Sequence, residues 1–341
     1  MASLPHQLIK FISKRLHLLD YVNFDGVAKS WRSTSKKCTS NRQFPLLELS
    51  DHRTASCSDT HQVYSIPELP WYDEWRFRKF PCSSYDWKSE YKVIGSSHGQ
   101  IIMSHNNSVY FDLFRFPTWT NYIDHLPPLY DHDINRQVDI NLVRRIVLSR
   151  KPDVKTREKV LVLMGTGSGS KLAPGFMFCI ALNGKFYALS LQGTLAVIDI
   201  DSDIPEVEML LGTARRAVPS VSSRCFREFL IESGGEILLI FLISKKSFNK
   251  VDDVEVFRLD LTSVSWIKME SLVDQTLFIG LNCCMAISAS ELGCKANTIY
   301  FRQNMIDGWW EFNMGDGTIT QRWEANTTIK KFPEWVTSIL E

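Results

Sequence analysis

Two periods of hydrophobic and polar residues divide the chain. Leu8, Ile12, Leu16 and Leu19 recur at intervals of four, four and three, which is one face of an α-helix. Pro5 stands where a first-turn proline is tolerated. A second apolar stripe, Phe24, Val27, Ala28 and Trp31, keeps helical spacing and dies in Ser33-Thr34-Ser35. Ile9, Phe11, Leu18, Tyr21 and Val22 place apolar groups on other faces too. A segment of about forty residues cannot bury them all alone and wants a metal, a disulfide or a partner. It carries no metal or disulfide pattern, so a protein partner remains.

After Pro45 the period shortens. β-rich runs recur between Gly, Asn, Asp and Ser, among them Tyr91–Gly95, Gln100–Ser104, Val160–Met164, Phe176–Leu182, Phe186–Leu191, Phe226–Ile231, Glu236–Ile243, Val254–Leu261, Thr276–Ile279, Met285–Ser288, Thr298–Phe301 and Trp309–Phe312. Asn183-Gly184, Gln192-Gly193, Gly234-Gly235 and Asp316-Gly317 are tight-hairpin signals. Short strands without long intervening helices predict a mainly β body: a sandwich, barrel or propeller. About 275 residues exceed one sandwich, and a propeller of five to seven four-stranded blades uses them all.

Composition adds an asymmetry. The 341 residues are 44% hydrophobic and 23% charged, an ordinary globular balance, and the net charge of +1 excludes a general polyanion trap. Residues 1–45, however, hold eight basic side chains against two acidic ones, a net of +6, and the rest of the chain sums to −5. No secretory signal and no run of about 18 apolar residues is visible, so no membrane contact is expected. Eight scattered cysteines then read as reduced thiols of a nuclear or cytoplasmic protein. The charged stretch 149–159 lacks interleaved aromatics and reads as a solvated connector, with no nucleic acid as partner.

Several motifs imitate catalytic chemistry. Gly95-Ser96-Ser97-His98-Gly99 fits the nucleophile-elbow pattern, which must lead into a helix; here a strand follows, so a hydrolase built on Ser97 is the weakest reading. Gly165-Thr166-Gly167-Ser168-Gly169-Ser170-Lys171 lacks the glycine a phosphate loop needs at position 170, and Pro174 forbids its helix. His52, Cys57 and His61 match no zinc spacing. Cys283-Cys284 reads as packing. For Trp309-Trp310 one buried ring and one at a rim are expected. All eight histidines precede residue 133, leaving the later β region without that base or ligand. No catalytic residue, metal or cofactor is expected.

The opening segment resembles an F-box. It supplies Leu4-Pro5, Leu8-Ile9, Ile12, Arg15-Leu16, Leu19-Asp20, Phe24 and Val27-Ala28-Lys29-Ser30-Trp31-Arg32 in that family's order and spacing, over residues 3–42. The remainder resembles the β-propeller of plant F-box proteins of the KIB type. The resemblance rests on Asn183-Gly184-Lys185-Phe186-Tyr187-Ala188-Leu189-Ser190-Leu191, Phe229-Leu230-Ile231-Glu232-Ser233-Gly234-Gly235-Glu236-Ile237, Val256-Phe257-Arg258-Leu259-Asp260 and Pro333-Glu334-Trp335-Val336-Thr337.

The resemblance implies a three-helix F-box at 3–42, a linker and lead-in segment at 43–70 and a propeller at 71–337. It implies a non-catalytic substrate receptor of an SCF-type cullin–RING ubiquitin ligase. Leu4, Pro5, Leu8, Ile9, Ile12, Leu16, Leu19, Val27 and Trp31 would divide between the F-box core and the surface for a Skp-type adaptor, and through it cullin. The propeller would hold an unnamed target protein. The alternative is a propeller scaffold outside the ligase, acting in gene regulation, with a degenerate F-box; Gly26, where a helix former is usual, is the feature favouring it.

Overall fold

In the computed structural model, Pro5, Gln7 and Leu8 are described at the N-terminus. From Pro45 onward the strands below are described, with continuous stretches at 176–190, 193–199, 225–247, 250–280, 284–292, 294–303 and 308–324. β1 (Pro45–Ser50), β2 (His61–Ser65) and β3 (Arg78–Lys79) precede a four-stranded meander of β4 (Tyr91–Ser97), β5 (Gln100–His105), β6 (Phe111–Arg115) and β7 (Asp124–Leu126). A small hairpin, β8 (Tyr130–Asp131) with β9 (Arg136–Gln137), leads to the pair β10 (Val143–Leu148) and β11 (Val160–Met164). Two further meanders follow. One is β12 (Phe176–Leu182), β13 (Lys185–Ser190), β14 (Leu195–Asp199) and β15 (Val207–Leu210); the other is β16 (Cys225–Ser233), β17 (Glu236–Ser244), β18 (Asp253–Asp260) and β19 (Ser265–Met269). The last sheet holds β20 (Gln275–Ile279), β21 (Cys284–Ser288), β22 (Thr298–Phe301), β23 (Gly308–Asn313) and β24 (Thr318–Glu324), and β25 (Glu334–Thr337) ends the series.

This is a β-propeller, and its cores lie between sheets. The innermost strands of successive sheets lie against one another: β4 against β10, β10 against β12, β12 against β16 and β16 against β21. Strand β17 shows why. Its run Ile237-Leu238-Leu239-Ile240-Phe241-Leu242-Ile243 has no polar alternation, the pattern of a strand buried on both faces. Leu238, Ile240 and Leu242 pack with Leu277, Ile299 and Phe312 of the following sheet. Ile237, Leu239, Phe241 and Ile243 pack with Tyr187, Leu195 and Val197 of the preceding one. Phe241 meets Phe226 and Phe257 edge-on, with centroids 5.4 and 5.6 Å away. Separate layers join β4–β7 to β10 through Ile102, Phe111 and Ile146, and β10–β11 to β12–β14 through Val147, Cys179 and Ala188.

Turn chemistry sets the register. Asn183 and Gly184 take φ of +48° and +74°, and Gly234 and Gly235 take +59° and +83°, as a two-residue hairpin turn of the primed type requires. Leu182 then pairs with Lys185 and Ser233 with Glu236, as predicted from sequence. The last sheet departs from the simple meander. The hairpin β20–β21 folds inward, Ala289–Leu292 makes one helical turn, and β22 returns parallel to β20, with Thr276 opposite Thr298.

The ring is closed by chain ends. β25 takes the first position in a sheet ordered β25-β1-β2-β3, with Pro45 opposite Thr337 and Leu46 opposite Val336. A proline is tolerated there because it opens the strand. The stretch expected to be linker and lead-in segment thus contributes β1 and β2 to this sheet. Deleting residues 334–341 removes the four register pairs of β25 with β1. At about 0.5–1.5 kcal/mol per net hydrogen bond, we expect a loss of about 2–6 kcal/mol, read as a lower denaturation midpoint. An unchanged midpoint would show that the seam is not structural.

Candidate functional site

The N-terminal segment enters the ring at β1. Of the residues expected to meet an adaptor, Pro5 and Leu8 are described. The Leu8 N–H donates to the Pro5 carbonyl at 2.9 Å, which starts a helical turn. Both side chains are exposed, and Leu8 keeps 46% of its surface in solvent. An exposed leucine is ordinary alone; on the predicted apolar stripe it presents grease outward. Leu4, Ile9, Ile12, Leu16, Leu19, Val27 and Trp31 lie outside the described residues.

Ser97, the residue that imitates a nucleophile, is a structural staple. It ends β4 in a tight hairpin opposite Gln100, with β5 running back antiparallel, so no helix follows it. The buried hydroxyl accepts from the Leu148 N–H at 3.1 Å and faces the Leu148 carbonyl at 3.4 Å. Leu148 ends β10, so the serine pins two neighbouring sheets at one end. The glycine-rich stretch 165–171 lies outside the described residues, as do His52, Cys57 and Cys283. Cys284 points its thiol at the Gly280 carbonyl, 3.4 Å away. Among the described residues, no group of three or more His, Cys, Asp or Glu side chains is placed to hold a metal ion. Burial pushes the Cys179 thiol up to about 12, against a smaller opposing effect of Arg145, so it stays protonated and inert. The expectation for the paired tryptophans needs correction. Trp309 and Trp310 are both buried, Trp310 in the core shared with β16–β18, because successive strand residues face opposite sheets and each side is covered.

Sequence reasoning missed a charged centre on β23. The Glu311 side chain is almost fully buried and accepts from Arg322 Nε at 2.6 Å and from Lys295 Nζ. Burial pushes its carboxyl up, but the hydrogen bonds and charges of Arg322 and Lys295 more than offset this and hold it below the usual range. Lys295, on the loop before β22, is thereby tied to β23 and β24.

The sequence pattern of the KIB1-4 beta-propeller family matches residues 63–319. The chain belongs to that family. It is also similar to three Arabidopsis thaliana proteins named as F-box proteins. At3g25750 is 27% identical over 51% of this chain and 48% of its own length, so that alignment spans about half of either protein. At1g65740 is 21% identical over 95% of this chain and 96% of its own length. At5g66830 is 24% identical over 88% and 80%. The likeness to At1g65740, at 95% of this chain, leaves too few residues uncovered to omit the whole opening segment, in accord with the F-box resemblance read from Leu4 to Arg32.

Two substitutions test these assignments. Ser97→Ala leaves the buried Leu148 N–H without its acceptor and should cost about 1–3 kcal/mol of stability; a chemical-denaturation midpoint equal to wild type would remove the staple. Glu311→Gln should cost about 1–2 kcal/mol at neutral pH, discounted because both cations are partly exposed. A carboxylate with a depressed folded pKa contributes stability above its unfolded value, and that contribution disappears as pH falls through the folded one. Midpoints of wild type and variant should therefore converge below about pH 4; a gap constant with pH would rule out the ionic account.

Proposed function

We propose that this KIB-family protein is the target-binding subunit of an SCF-type ubiquitin ligase. Its N-terminal segment docks on a Skp-type adaptor and, through it, on cullin. The propeller holds the protein to be ubiquitinated, in the nucleus or the cytoplasm. The observation that carries this reading is the exposed Leu8 on a helical turn, within a segment whose order of residues resembles an F-box and whose relatives bear that name. The net charge of +6 over residues 1–45 suits an acidic docking surface.

Such a subunit forms and breaks no covalent bond. It raises the effective concentration of one protein beside another, so that a bimolecular transfer becomes local. Rigidity of the holder matters, because a misplaced target lysine loses the gain in proximity. The interlocked sheets supply that rigidity.

Leu8→Ala should weaken adaptor binding by about 1–3 kcal/mol if Leu8 is a central contact. Titration of purified Skp-type adaptor against the full chain, wild type beside variant, reads this directly. Equal affinities, or no affinity in the wild type, would favour the alternative of a scaffold outside the ligase.

A further inference from the structure

Strand β10 carries an arginine into an apolar layer. Val143, Ile146 and Leu148 pack toward β4–β7, whereas Val147 packs toward β12–β14. The register of β10 with β11 slips between Val143 and Arg145, so Arg144 is an extra residue in a bulge. The bulge lets Val143 and Ile146 share one face, and alternation then puts Arg145 on the other, beside Val147. Re-aiming a side chain in this way is a recurrent use of a β-bulge. Arg145 keeps 8% of its surface in solvent. Its Nε is buried and meets no acceptor, unlike the buried polar groups of Ser97 and Glu311.

The facing sheet makes room for it. Cys179, Ala188 and Ala196 form one row across β12, β13 and β14, in register and buried. Small side chains in that row leave a long one opposite them space to extend. Burial raises the Cys179 thiol and the Arg145 charge opposes that rise, which puts the guanidinium within electrostatic reach of the row. Along β10 to β15 the only carboxylates are Asp199 and Glu208. Asp199 stands two residues beyond Val197 and Glu208 pairs with Val197, so both positions belong to the opposite face, the one turned toward β16–β18. Asp199 is also paired with Lys185 at 3.9 Å. No strand of the two sheets therefore brings Arg145 a counter-charge, and a buried cation without one is costly.

We propose that Arg145, above the row Cys179, Ala188 and Ala196, forms a binding site for a small free oxyanion, a carboxylate or phosphate ion, between β10–β11 and β12–β15. The planar guanidinium holds either group through two parallel hydrogen bonds. The small opening that Arg145 keeps to solvent admits an ion and is too narrow for a chain segment. The protonated Cys179 thiol adds a weak donor and no opposing charge. Bound there, the anion neutralises the cation and ties one sheet of the ring to the next. The inference is independent of the ligase reading, because the site lies within the propeller and uses no residue of the N-terminal segment.

The test follows the denaturation midpoint of the full chain in chloride, acetate or inorganic phosphate at matched ionic strength. A ligand that binds only the folded state raises the midpoint as its concentration rises. General salt effects act alike on wild type and on Arg145→Met, so the difference between the two reads the site. Wild type should show a concentration-dependent rise in acetate, phosphate or both that Arg145→Met lacks. Arg145→Lys keeps the charge without the fork and should respond less than wild type. In chloride, Arg145→Met should denature at or above the wild-type midpoint, because it removes an uncompensated buried charge. Equal responses of wild type and Arg145→Met to both anions would overturn the site. So would a lower midpoint of Arg145→Met in chloride, since the guanidinium would then have its partner within the fold. A rise in acetate alone assigns a carboxylate, and a rise in phosphate alone a phosphate. A larger rise with hexaglutamate peptide than with either ion would overturn the small-ion assignment in favour of a chain segment.

Discussion

The pairing of β25 with β1 is the constraint on which the rest of the structure depends. Every other described sheet is built from strands neighbouring in sequence, and the sheets β10–β11, β12–β15 and β16–β19 each bury one layer against the sheet before and one against the sheet after. Without a seam, the first and last sheets would each keep an uncovered face and an unpaired edge. Four residues near the C-terminus, Glu334 to Thr337, close the circle against Pro45–Glu48. The same pairing fixes the place of Pro45, the first residue of the ring.

A closed ring distributes hydrophobic burial unlike a single-core domain. Strand β17 is apolar at seven consecutive positions because it has no solvent face, whereas β19, at the outer edge of its sheet, exposes Ile267 and Lys268. Polar groups inside the layers are correspondingly pinned, Ser97 to Leu148 and Glu311 to Lys295 and Arg322.

The elements legible in the sequence were those with local causes. Val160–Met164, Phe176–Leu182 and Ser265–Met269 form strands with the predicted limits, and the turns Asn183-Gly184 and Gly234-Gly235 announce their own geometry. Long-range features left little local trace. Glu334–Thr337 is too short to signal a strand, and β1 opens with a proline. The parallel return of β22 beside β20 depends on an inward hairpin that the run of short strands does not reveal. Arg227 and Arg302 stand 75 residues apart, and only the contact between the last two sheets brings them together. Of the F-box residues, the spacing of Leu8, Ile12, Leu16 and Leu19 was readable without a structure, and an exposed Leu8 agrees with it.

The central claim is that a self-contained ring carries at its seam a segment whose apolar surface is covered by another protein. Hydrogen exchange on the full chain, with and without purified Skp-type adaptor, tests it most directly. The account predicts that adaptor slows exchange across residues 4–31 and leaves strands β4 to β24 unchanged. Equal exchange in residues 4–31 with and without adaptor, or protection confined to the propeller strands, would contradict it.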